Sequence, residues 1–121
     1  MIDQKDFNRI LAAIKRIFSQ SSVRKRVLHK ALSKQVGPRG GKMYNCKKCK
    51  KAFNTKGVQV DHIDPVCPIG VATMSMSWDL IMERLYCSES NLQVLCRKCH
   101  DLKSKKEAGL RAKARKLNKN D

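Results

Sequence analysis

The sequence predicts an α+β fold in which helices flank short strands and a four-cysteine metal site staples the middle of the chain. Three observations lead there. Apolar residues recur at helical spacing near the start. Two Cys-x-x-Cys pairs stand far apart. Between them a short alternating run ends in two acids and a histidine. A length of 121 residues suits one compact domain with a helical extension.

The first element is DQKDFNRILAAIKRIF, residues 3–18, where Phe7, Ile10, Leu11, Ile14, Ile17 and Phe18 fall at helical spacing. Asp3 and Asp6 suit its first turn. SQSS at 19–22 breaks the run, and Ser22 is placed to cap a second helix over about 23–35. Val23, Val27, Leu28, Ala31 and Leu32 share one face of that helix; Arg24, Lys25, Arg26, Lys30 and Lys34 lie on or beside the other. Residues 1–36 therefore read as a basic helical arm, either with a simply solvated exterior or in contact with phosphates.

VGPRGGK at 36–42 reads as a Gly/Pro linker, placing the boundary at 37–42. MYNCKKCKKAF follows as a short strand and a knuckle, and VQVDHI as a second strand. MSMSWDLIMERLYC, residues 74–87, reads as a helix with Met74, Trp78, Ile81, Met82 and Leu85 on one, core-facing side. SESNLQVLCRKCHDLKSKKE returns through a loop to a final helix. The tail, residues 107–121, is either a helix on DNA or a frayed, solvated end. No internal repeat is visible.

Lys and Arg number 27 against 10 Asp and Glu, a formal charge of +17. Such an excess calls for a polyanionic partner, and nucleic acid comes first. An anionic membrane surface would need a face of large apolar residues opposite the charge. Ribosomal and chromatin proteins are equally basic, so charge names a partner class and no reaction. MIDQKDFNRI interleaves acids and bases, and no apolar run approaches transmembrane length. A cytoplasmic protein is expected, in which six cysteines serve as metal ligands or buried thiols, not disulfides.

Cys46-x-x-Cys49 and Cys96-x-x-Cys99 each offer two thiolates from one tight turn, and together they complete a tetrahedral zinc site. Such a closed site is structural, with no open position for substrate. It ties together segments separated by 46 residues, more than the ~15–20 of simple zinc modules. The gap must hold structure of its own, and it holds VDHIDP. Cys67 and Cys87 lie in apolar surroundings, PVCPIG and RLYCSE, and read as buried thiols.

Asp61, His62 and Asp64 crowd together in a chain rich in lysine. His100 directly follows the last zinc cysteine, so the staple governs where it points. Asn91 opens NLQVLC just before the same knuckle. Fixed by one metal, these segments can converge on a second site of carboxylate and imidazole, a donor set suited to Mg, Mn or Ni ions.

The strings DHI-x-P and NLQ-x-LC-x-x-CH, followed by basic residues, resemble the HNH endonucleases of the ββα-metal fold. They are most similar to the small zinc-bound members of phage genomes. The resemblance covers roughly residues 43–106, and leaves out the arm and the tail. It implies a DNA endonuclease with His62 as general base, a task suited to a group that titrates near neutral pH. Asp61 and His100 would hold the catalytic Mg²⁺ or Mn²⁺, with Ni²⁺ as a further option. Asn91 would brace the His62 loop through its carboxamide, and the products would carry a 5′-phosphate and a 3′-hydroxyl. Neighbouring side chains of a strand point to opposite faces, so the hairpin is expected to bend if Asp61 and His62 serve one site. Asp64 either orders the turn before Pro65 or touches the ion. His29, in the arm, is assigned no chemistry.

The basic residues expected on DNA are Arg24, Lys25, Arg26, Lys30, Lys103, Lys105 and Lys106. Two other readings stand beside the nuclease: a non-catalytic zinc DNA-binding protein, and a basic accessory protein, for instance in phage packaging. A homodimer or a phage protein partner fits either, and cleavage of both strands would need a dimer or two visits.

Overall fold

The computed structural model describes residues 2–119, a mixed α+β chain of four helices and two small antiparallel sheets. Helix α1 (Gln4–Phe18) opens on Asp3, whose carboxylate accepts the Asp6 N–H at 2.8 Å. It buries Phe7 and Phe18, while Ile17 at the other edge of the expected stripe is 63% exposed.

Helix α2 (Ser22–Lys30) is capped by Ser21, not Ser22, through the Arg24 N–H. It is also shorter than the expected 23–35. The Ala31 carbonyl, which a continuing helix would use, instead accepts the Asn45 N–H at 2.8 Å. The chain then leaves as strand β1 (Leu32–Val36), antiparallel to β2 (Lys42–Asn45), which pairs in turn with β3 (Ala52–Asn54). Cross-strand hydrogen bonding thus overrides a helical-looking sequence. The Gly/Pro stretch at 37–42 is the turn of that hairpin: Gly37 N–H bonds the Gly41 carbonyl at 2.9 Å, and Gly40 takes φ 78°.

Strands β4 (Val58–His62) and β5 (Leu92–Cys96) form the second sheet, in continuous antiparallel register from Val58 opposite Cys96 to His62 opposite Leu92. Between them lies helix α3 (Trp78–Leu85), capped by Ser77. It is shorter than the expected 74–87, because Met74 belongs to a separate 3₁₀ turn, Thr73–Ser75. Ile81 and Leu85 are buried as expected of a core face. Met74 and Met82 are each 40% exposed, and Met76 takes a buried place instead. Trp78 stacks on Phe7, ring centroids 4.6 Å apart. Helix α4 (Arg97–Lys119) follows β5 directly, and the cationic tail is helical as far as Lys119.

The main core joins Phe18 of α1 and Val27 of α2 to Val58, Leu85, Leu92 and Val94. The basic arm is therefore packed on the β4–β5 pair. Burial of these apolar side chains supplies the dominant stabilising term. Among the described residues, no helix is long and apolar enough to cross a membrane.

Candidate functional site

The first site is built by two turns. After β2, Cys46 N–H bonds the Lys51 carbonyl at 2.9 Å and Lys50 N–H bonds the Cys46 carbonyl at 3.0 Å. Lys50 closes this turn in the left-handed region, φ 67°. The second pair spans the junction of β5 and α4. In each pair the second cysteine's amide points at the first cysteine's sulfur, Cys49 to Cys46 and Cys99 to Cys96, both at 3.5 Å. All four Sγ atoms lie within 4.8 Å of one another.

Four thiols this close cannot all ionise without a cation. Burial pushes the Cys46 thiol up, but amide hydrogen bonds from Cys49, Cys96 and Lys48 outweigh it and bring it down to about 6. Burial pushes Cys99 up, its bonds to Cys96 and Cys46 and the Cys46 charge add to this, and it reaches about 12. An ion that holds all four as thiolates would relieve this conflict. The donor set could hold a metal ion and is compatible with structural zinc. Cys67 and Cys87 stand apart, half-buried; the Cys67 sulfur accepts from the Thr73 hydroxyl at 3.3 Å.

The second cluster lies where β4 meets α4. Asp61, its side chain 10% exposed, accepts from Gln93 Nε2 at 3.0 Å across the strand pair. Its other oxygen lies 3.8 Å from His100 Nε2. Lys103 Nζ sits 3.2 Å from the same carboxylate, 3.0 Å from the His62 carbonyl and 3.0 Å from Glu107. Burial disfavours the ammonium, but Glu107 and Asp61 together outweigh it and hold its pKa above the usual lysine range.

His62 turns the other way. Its Nε2 lies 2.8 Å from the Leu85 carbonyl, and its ring packs against Phe18 at 5.2 Å between centroids. A carbonyl only accepts, so Nε2 carries the proton and Nδ1 of the neutral ring keeps its lone pair. The two side chains diverge as strand geometry requires, and β4 shows no register shift between them. Asp61, His62, His100, Lys103 and Glu107 are all among the residues that line one open cleft of about 450 Å³.

Asn91 ties down the chain beyond His62. Its Oδ1 accepts the Asp64 N–H at 2.8 Å, its Nδ2 donates to the Asp64 carbonyl at 3.2 Å, and its own carbonyl accepts the Ile63 N–H at 2.8 Å. The Asp64 carboxylate is held in an ion pair with Arg84 at 3.0 Å. Arg84 also donates to the Pro65 and Val66 carbonyls, and Arg111 to the Cys67 carbonyl at 2.7 Å.

The expected DNA-contacting residues divide. Arg24 lines the cleft, and Lys25, Lys105 and Lys106 are exposed. Arg26 and Lys30 both pair with Glu89, and Lys103 is drawn into the site beside Asp61. Three cleft residues escaped the sequence reading, Lys15, Glu107 and Arg111, and so did Gln93, the partner of Asp61. A signal for two of them was present. His100, Lys103, Glu107 and Arg111 are spaced three, four and four residues apart, one face of a helix. Comparison with protein families, with curated proteins and with solved structures finds no match to this chain.

Proposed function

We propose that this chain is a metal-dependent DNA endonuclease of the HNH type, with β4, β5 and α4 as its ββα unit. One observation carries the reading: Asp61, His62 and His100 share a single basic-walled cleft, and His62 is fixed in the tautomer that leaves Nδ1 as a base. Asp61 and His100 would hold a divalent ion, Mg²⁺ or Mn²⁺ by donor type and Ni²⁺ as an option. Their donor atoms, 3.8 Å apart on the cleft wall, fit that use. The ion would stabilise charge that develops on the phosphate and the leaving oxygen.

His62 would take a proton from the water that attacks phosphorus, while its Nε2–H bond to Leu85 keeps the ring from turning. Asn91 holds the backbone next to it. Lys15, Arg24 and Arg111 line the cleft and would place positive charge where a phosphate backbone runs. The four-cysteine site, loaded with zinc, would fix the start of α4 and so the position of His100.

Nicking of supercoiled plasmid tests the reading. Wild type should give relaxed or linear DNA with Mg²⁺, Mn²⁺ or Ni²⁺ and none in EDTA, while His62→Ala gives none but still binds DNA. A second reading is a zinc-containing DNA-binding or accessory protein without catalysis. The ion pair of Lys103 with Asp61 favours it, since a carboxylate already satisfied by a lysine serves as scaffold. Tight DNA binding without cleavage under any metal would establish that reading.

A further inference from the structure

Lys103 differs from the other lysines of the tail. Its side chain is 20% exposed, and its ammonium meets three oxygens at once: Asp61, the His62 carbonyl and Glu107. The ammonium donates to the His62 carbonyl and to Glu107, and Asp61 is its third neighbour, held as an ion pair. Glu107 lies one turn further along α4, at i+4, on the same cleft wall. Asp61 keeps a second partner, Gln93, whatever Lys103 does.

We propose, on the reading that Asp61 and His100 hold a divalent ion, that Lys103 is the resident counter-cation of that site. It occupies the Asp61 carboxylate while no divalent ion is bound, and passes to Glu107 when one arrives. A divalent ion and an ammonium repel at contact distance, so the two compete for one carboxylate. Glu107 provides the second seat and lowers the cost of the exchange. Lys103 thereby weakens metal binding, and Glu107 offsets that weakening. The pair sets the metal concentration at which the site fills.

Mn²⁺ binding to the zinc-loaded full chain, read from the EPR signal of free Mn²⁺, tests this without any turnover. Lys103→Met keeps the aliphatic stem and should bind Mn²⁺ about tenfold or more tightly than wild type, since it removes a like charge at contact distance. Glu107→Gln strands Lys103 on Asp61 and should bind Mn²⁺ several-fold more weakly. Asp61→Asn should lose the site. Thermal melts of each zinc-loaded variant establish folding, and Glu107→Gln carries the test if Lys103→Met does not fold. Unchanged or weaker binding in a folded Lys103→Met, with the site still lost in Asp61→Asn, overturns the role of Lys103 and leaves the metal site standing. Mn²⁺ binding that is indifferent to Asp61→Asn overturns the metal site and this inference with it.

Discussion

The ring of His62 is held by the carbonyl of Leu85, 2.8 Å from its Nε2, although the two residues lie 23 positions apart. Leu85 closes α3, and carbonyls at a helix end lack an intrahelical donor. His62 supplies one. The segment between β4 and β5 thus reaches back to set the tautomer of a residue on β4.

The first prediction concerns this bond. His62→Ala should lower plasmid cleavage by about 10²–10⁴-fold, the range for loss of a general base. It also leaves the Leu85 carbonyl without its donor, and should cost about 1–3 kcal/mol in urea unfolding. DNA affinity should stay within a factor of two, measured by fluorescence anisotropy on a short duplex. Cleavage that survives in a folded His62→Ala would remove His62 from the base role.

Asn91 gives the second. Its carboxamide satisfies both backbone groups of Asp64. Asn91→Ala should cost about 1–3 kcal/mol, and Asn91→Asp about as much, because a carboxylate cannot donate to the Asp64 carbonyl. Hydrogen exchange should localise the loss. The Asp64 amide should exchange faster in Asn91→Ala, while the Ile63 amide, bonded to the Asn91 main chain, should change less. Uniform loosening of both sheets would show instead that the side chain acts through the core.

What the sequence reveals and what it hides follow from the range of the forces involved. Cys46, Cys49, Cys96 and Cys99 were legible because metal ligation imposes a local spacing that survives any fold. Helix α1 was legible because its apolar residues keep a helical period with an acid at the cap. Strand β1 was hidden: its residues, LSKQV, carry no alternation, and only the distant partner β2 makes them a strand. Lys103 and Lys105 look alike in a lysine-rich tail, and only packing against β4 turns the first inward. The pairing of Arg26 and Lys30 with Glu89 spans some sixty positions, and nothing local announces it.

Metal removal is the third prediction. Zinc should be present at one ion per chain, and a strong chelator should abolish the cooperative melt, since structural zinc contributes about 10–16 kcal/mol of apparent binding energy in small domains. Cys96→Ser should behave as the chelated protein does, because Cys96 lies buried between Cys46, Leu95 and Cys99. Binding displaces thiol protons, so the stability due to zinc is present at neutral pH and is lost as protons compete in acid. A melt that ignores both chelator and Cys96→Ser would mean that the staple holds without an ion.

The last prediction turns on Glu89. Lys30 and then Arg26 hold its carboxyl below the usual carboxylate range. A lowered pKa means that the ionised form is the one the fold favours. The stabilisation is therefore present above the ordinary carboxylate value and is lost as pH falls through the lowered one. Glu89→Gln should remove that acid dependence and release both cations. Phosphates would then take the place of the carboxylate, so DNA affinity should rise at low salt. The slope of log K against log salt should steepen by up to about 2, near 0.9 for each phosphate gained. Arg26→Ala and Lys30→Ala in the wild-type background should change affinity little, because both side chains are engaged by Glu89. The same two substitutions on Glu89→Gln should reverse its gain. If Glu89→Gln leaves the salt slope unchanged, this face of α2 lies off the DNA path, and the contacts come from Lys15, Arg24 and α4.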